Sequence, residues 1–155
     1  MGFGRFSADG REFLIADVRT PSPWINYLQN GRYFATISAN GGGISYDRSP
    51  LHGRITRYRI NDVPPDRPGK YIYVRDRDSG EVWSLTWQPV GREPSADYRV
   101  AHGFGYTRAE ADAAGISSSV VFFVPADDDR EIWKATLRNT SDRPRRLSVT
   151  GYVEF

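Results

Sequence analysis

Residues 131–155 read EIWKATLRNTSDRPRRLSVTGYVEF, and this stretch decides the fold class. In Glu131–Asn139, Trp133, Ala135 and Leu137 fall on one face, and Lys134, Thr136 and Arg138 on the other. In Arg146–Phe155, Leu147, Val149, Gly151, Val153 and Phe155 share a face opposite Ser148, Thr150, Tyr152 and Glu154. A side-chain period of two belongs to a strand with one covered face. Asn139–Pro144 is rich in turn formers, so the reading is an antiparallel pair, each strand with a buried face and Trp133 in the core. The alternation runs into Phe155 without a polar tail, so the sequence reads as a sandwich cut short.

Outward from that pair the same pattern recurs. Strands are expected over Glu12–Ala16, Tyr33–Ser38, Ile44–Tyr46, Ile55–Arg59, Tyr71–Asp76, Val82–Leu85, Tyr98–His102 and Ser117–Val124. Turn signals separate them: Asn30-Gly31, Asn40-Gly41-Gly42-Gly43, Pro64-Pro65, Pro68-Gly69, Ser79-Gly80 and Ser141-Asp142. The nearest thing to a helical period is Thr107–Ala114, which is short, polar and stopped by Gly115. Many short strands at this spacing argue for an all-β antiparallel β-sandwich.

The 155 residues amount to one domain or a piece of a larger one. With 39% apolar and 26% charged residues the chain can bury a core. It has no apolar run of the ~20 residues a helical membrane span needs, and no signal-peptide core follows Met1. Zero cysteines exclude a disulfide framework, a thiolate metal site and a cysteine nucleophile, and fit a reducing, cytoplasmic setting. Of 21 basic residues only Lys70 and Lys134 are lysine, leaving 21 − 2 = 19 arginines, the better planar partners for carboxylates, phosphates and aromatic faces. Arg54-Ile55-Thr56-Arg57-Tyr58-Arg59 has the interleaving that can track a nucleic-acid backbone. Against that stand a net charge of only +2 and the simpler reading of an arginine-decorated strand, so no nucleic-acid partner is expected.

Catalytic templates fail. His52 and His102 are the only histidines and lack metal-ligand spacing. There is no Gly-x-Ser-x-Gly elbow and no Gly-Lys-Ser/Thr phosphate loop. Gly103-Phe104-Gly105 has no helix after it and reads as a turn. Asn139-Thr140-Ser141 has the glycosylation pattern but, without a secretory signal, reads as a turn too. Aromatics are 14% of the chain, and several flank polar residues in expected loops, as in Trp24-Ile25-Asn26-Tyr27 and Trp83–Gln88. Such pairings suit a sugar, whose C–H face packs on a ring while polar neighbours bond its hydroxyls. Each aromatic has the competing reading of sandwich core.

Several segments, in order, resemble one family. They include Phe3-Gly4-Arg5-Phe6, Gly10–Ile15, Thr20-Pro21-Ser22-Pro23-Trp24-Ile25-Asn26-Tyr27-Leu28, Gly41–Tyr46, Arg54–Arg59 and Gly69–Tyr73. Asp78–Ser84, Trp87-Gln88-Pro89-Val90, His102–Thr107, Phe123-Val124-Pro125, Asn139–Asp142 and Tyr152–Phe155 continue the series. The chain resembles the N-terminal part of the glycoside hydrolase family 94 disaccharide phosphorylases, the cellobiose and chitobiose phosphorylase group. The resemblance implies that residues 1–155 are the N-terminal part of a galactose-mutarotase-like β-supersandwich, with the catalytic (α/α)6-barrel absent. It implies an inverting phosphorolysis of a β-linked disaccharide to an α-sugar 1-phosphate. Phosphate is already an anionic nucleophile, so one general acid suffices where a hydrolase needs two carboxylates. Inorganic phosphate would be co-substrate, with no other cofactor and no metal, and the whole enzyme a homodimer. The acid and the phosphate ligands belong to the barrel, so no catalytic residue is assigned. Trp24, Asn26 and Tyr27 are the candidates for a sugar path or for the interface with the barrel. A free-standing carbohydrate-binding module is the alternative. The isolated chain, as half a sandwich, is expected to be of low stability.

Overall fold

The computed structural model describes residues 2–59, 67–91 and 98–155, and the Pro64-Pro65 turn lies outside them. Among the described residues there are strands and no helix, in three antiparallel sheets. The largest has the order β1 (Gly4–Phe6), β2 (Glu12–Ile15), β8 (Tyr98–Gly103), β9 (Tyr106–Ala113), β10 (Ile116–Phe123), β11 (Ile132–Asn139). A second runs β3 (Ile25–Gln29), β4 (Tyr33–Ser38), β5 (Ser45–Asp47). The third runs β12 (Leu147–Tyr152), β6 (Tyr71–Asp76), β7 (Val82–Ser84). One core draws on all three: Ile15, Val100, Val120 and Phe122 from the large sheet, Leu28 and Ile37 from the second, Val74 and Trp83 from the third.

The all-β reading stands, and the Tyr33–Ser38 and Tyr71–Asp76 strands have the expected bounds. Three local readings need correction, and one strand is added. Residues 107–113, for which the sequence pattern predicts no strand, lie in β9, whose partners β8 and β10 impose the pairing on a polar, alanine-rich composition. Trp24–Tyr27 is not a loop, since Ile25–Gln29 pairs with β4. Ile55–Arg59 is not a strand. It is extended chain whose amides go singly to other segments, Ile55 and Thr56 to the Ser45 carbonyl and Arg57 to that of Glu154.

The third correction concerns the two strands of residues 131–155. They do not pair with each other. β11 pairs with β10 over Ile116↔Asn139 to Phe123↔Ile132, and β12 pairs with β6 over Leu147↔Asp76 to Tyr152↔Tyr71. The link between them is an arch from one sheet to another. Thr140 donates to the Gly115 carbonyl at one end. At the other, the Arg145 guanidinium bonds the Ala114 carbonyl and the Asp76 carboxylate, and Arg146 pairs with Asp78. Both strands are sheet edges, and their apolar faces are largely open. Trp133 and Leu137 are half-buried against the core and Ala135 is exposed, while Val149 and Phe155 are 52% and 85% exposed.

Two ion pairs bracket β6. At its start Lys70, 1% exposed, meets Glu131, 5% exposed, at 2.9 Å. The other two ammonium hydrogens face the carbonyls of Thr36 at 3.0 Å and Ile44 at 3.5 Å. Glu131 in turn accepts from Ser45 Oγ at 2.7 Å and from Trp133 Nε1 at 2.8 Å. All three ammonium hydrogens and both carboxylate oxygens thereby have partners, as burial demands. Burial pulls the Lys70 ammonium below its ordinary pKa, and Glu131 opposes that pull. The approach of Lys70 needs glycine opposite: its amide bonds the Gly41 carbonyl, and a Cβ on Gly43 would sit 2.1 Å from the Thr36 carbonyl oxygen.

At the far end of β6, Asp76 is fully enclosed. Arg145 holds its carboxyl down at about 2, helped by the amides of Asp78 and Ser79. A depressed carboxylate contributes stability that is complete above its ordinary value of 3.8 and lost as pH falls towards about 2. Urea midpoints measured from pH 5 down to about 2 will therefore fall, and Asp76→Asn will flatten part of that fall. A slope unchanged by the substitution would refute the assignment. For the other pair, Lys70→Met will cost about 3–5 kcal/mol because it strands a buried carboxylate, and adding Glu131→Gln will return part of the loss. Equal losses in single and double variants would show that the two groups are uncoupled.

Candidate functional site

Strand β3 presents its residues alternately to the interior and to the outside. Trp24, just before it, packs inward edge-on to Phe3 and Phe13, with ring centroids 6.0 and 5.5 Å away. Its carbonyl accepts from the Ala39 amide and faces His102 Nε2 at 3.2 Å. Asn26, also inward, aims its amide nitrogen at the carbonyls of Gly103 and Tyr106, each 2.9 Å away, and at Thr107 Oγ1, 3.2 Å away. It clamps the β8–β9 hairpin onto the second sheet. Burial lowers the His102 pKa, with the Trp24 carbonyl opposing, and Nδ1 bonds Thr107 Oγ1 at 2.9 Å. Trp24, Asn26 and His102 thus form one inter-sheet contact.

Tyr27 stands on the other face, 63% exposed. The structure therefore separates the three candidates: Trp24 and Asn26 inside, Tyr27 outside. With Tyr27 goes an open groove of about 600 Å³, whose wall includes Ile25, Leu51 and Tyr58 and whose rim carries Arg54 and Arg67. Leu51 is 73% exposed, and Ile25 and Tyr58 are 43% exposed each. Contiguous apolar exposure of this kind marks a contact surface. Ile25 and Tyr58 belong to segments that stood out for other reasons, and Leu51 to none. A hint lay in Leu51, a large apolar residue in the polar turn Ser49-Pro50-Leu51-His52.

The groove has aromatic and aliphatic walls and cationic edges, suited to packing and to holding an anion or hydroxyl, and no acid–base pair lines it. No group of three or more His, Cys, Asp or Glu able to hold a metal occurs among the described residues. The arginine-rich segment 54–59 has its cations partly engaged, since Arg57 and Arg59 both pair with Glu154, at 3.3 and 3.1 Å. No helix among the described residues is long and apolar enough to cross a membrane.

Comparison with known proteins bears on what this scaffold is. The sequence profile of the glycosyl hydrolase 94 supersandwich domain matches residues 11–155. The chain belongs to this domain family. The relatives it matches are much longer proteins. The N,N'-diacetylchitobiose phosphorylase of Vibrio furnissii is 43% identical over 156 residues, which cover 100% of this chain and 19% of that protein. The solabiose phosphorylase of Paenibacillus borealis is 36% identical over 162 residues, 99% of this chain and 20% of that protein. The cyclic beta-(1,2)-glucan synthase of Rhizobium meliloti is 33% identical over 157 residues, 99% of this chain and only 6% of that protein. The chain thus spans about a fifth of the length of the phosphorylases it matches.

The split of β3 into an inner and an outer face is testable. Asn26→Ala leaves buried carbonyls without their donor and will cost about 1–3 kcal/mol in urea unfolding, whereas Tyr27→Ala will change stability by no more than about 0.5 kcal/mol. The reverse order would place Tyr27 in the packing and Asn26 at the surface.

Proposed function

We propose that this chain is the N-terminal supersandwich portion of an inverting β-disaccharide phosphorylase, and that it contributes contact surface rather than chemistry. The observation that supports this is the collinear match of the whole chain to two phosphorylases of which it is about one fifth. In this reading the acid and the phosphate ligands lie in an (α/α)6-barrel elsewhere in the whole protein. The protein works in the cytoplasm as a homodimer on a β-linked disaccharide and inorganic phosphate.

Two surface features fit that role. The groove around Tyr27, Ile25, Leu51 and Tyr58 has the composition of a face that another domain or a sugar covers. The open apolar faces of β11 and β12 have the same character, and further strands of a supersandwich would cover them. Tyr27 belongs to the first surface, and Trp24 and Asn26 stiffen the strand that presents it.

The purified chain, incubated with phosphate and a panel of β-linked disaccharides, will release no sugar 1-phosphate. The protein carrying the adjoining barrel will release it from at least one of them. Turnover by the chain alone would overturn the division of labour, and an inactive longer protein would overturn the phosphorylase reading. Saturable binding of a neutral disaccharide by the chain alone would favour a carbohydrate-binding module instead.

A further inference from the structure

A second cleft, of about 280 Å³, lies where the third sheet meets the chain's last residues. Arg59, Arg67, Tyr71, Tyr73, Tyr152 and Glu154 line it, with Pro68 and Pro89 as further walls. Three tyrosines meet there because β12 pairs with β6 in a register that sets Tyr152 opposite Tyr71 and Thr150 opposite Tyr73. Tyr152 stacks on Tyr71 at 6.0 Å and 14°, and meets Tyr73 edge-on at 6.4 Å and 86°. The cleft sits near the lower end of the size range for small-ligand sites, room for one ring rather than a chain of them.

Among the described residues Glu154 is the lining carboxylate, and its acceptor positions are taken: Oε1 by the Tyr152 hydroxyl at 2.5 Å, Oε2 by Arg57 at 3.3 Å and Arg59 at 3.1 Å. Arg67 is a cation in a different setting. It is exposed, it donates to the neutral Gln88 Oε1 at 2.7 Å, and among the described residues no carboxylate pairs with it. A guanidinium has five donors, so Arg67 keeps several for a ligand. The Tyr73 hydroxyl likewise has no hydrogen-bond partner among the described residues.

Aromatic and proline walls select a ring with an apolar face, and the Arg67 guanidinium selects an anion on that ring. We propose that this cleft binds a single anionic pyranose, a hexose carrying one phosphate or one carboxylate group. Its anion would lie on Arg67, and the Tyr73 hydroxyl would hold a ring hydroxyl. The assignment does not depend on the phosphorylase reading, because it concerns binding by these residues whatever reaction the whole protein performs.

Calorimetric titration of the chain with glucose 6-phosphate, glucuronate, glucose and inorganic phosphate tests it. Saturation is expected in about the millimolar range with at least one of the two anionic sugars, and glucose and inorganic phosphate should each bind at least about tenfold more weakly. Which anionic sugar saturates names the anion. Arg67→Glu should weaken binding by about tenfold or more, and Tyr73→Phe by about threefold, with both variants keeping the parent melting temperature. Inorganic phosphate binding as tightly as the sugars would show a charged spot without ring recognition. Glucose binding as tightly would remove the anion, and no saturable heat with any of the four would remove the site.

Discussion

The arrangement of the molecule depends on one buried ion pair. Lys70 precedes a strand of the third sheet, Glu131 precedes an edge strand of the first, and the carbonyls that finish the ammonium's coordination belong to Thr36 in the second and Ile44 just before its last strand. The pair stands where three sheets meet, and no apolar contact there would fix their mutual position so narrowly. Taking two charges out of water is costly, and a well-packed apolar replacement often does as well for stability. What the pair supplies is selection among arrangements. A sheet displaced by a residue leaves a buried charge without its partner, and that state is too costly to populate. Gly43 belongs to the same device, because any side chain there would hold Lys70's neighbours apart.

The second pair, Asp76 with Arg145, does the corresponding task at the other end of β6. It catches the chain as it leaves the large sheet and turns it onto the third. Adjacent arginines divide the work: Arg145 reaches inward to Asp76 and the Ala114 carbonyl, and Arg146 outward to Asp78. A type of residue that looks uniform in the sequence thus has two environments one position apart, 5% and 73% exposed at the side chain. The inner contact fixes topology. The outer one is a surface pair, whose contribution to stability is small.

The sequence pattern reached strands well and their partners poorly, for a physical reason. Alternation reports that a face is covered, not what covers it. Tyr33–Ser38 and Tyr71–Asp76 could be bounded because glycine-, asparagine- or proline-rich turns flank β-branched and aromatic runs. The pairing of β11 and β12 with each other could not be excluded, because the decision lies in Arg145 meeting a residue 69 positions earlier in the chain. The strand at residues 107–113 escaped the pattern for the opposite reason: its alanines and acids carry little local preference for a strand, and neighbours on both sides impose one. For the candidate site, the motif Pro23-Trp24-Ile25-Asn26-Tyr27 was legible as important but not as two-faced. Once β3 is known to be a strand, a period of two sends Trp24 and Asn26 inward and Tyr27 outward.

The bonding state of each group narrows where recognition can reside in this domain. Proteins named for diacetylchitobiose, for solabiose and for a cyclic glucan all share this scaffold at 33–43% identity over nearly its whole length. In the inner constellation the Asn26 amide nitrogen and the His102 ring are already engaged by carbonyls and Thr107. Groups with no bonding capacity left have nothing to offer a substrate. Discrimination requires unfilled donors or exposed rings. Such groups stand at Tyr27 and its groove, and at Arg67 and Tyr73, all on the outer surfaces of the two small sheets. The interior of this domain therefore builds a common platform, and any recognition it performs is carried by the faces that the platform holds outward.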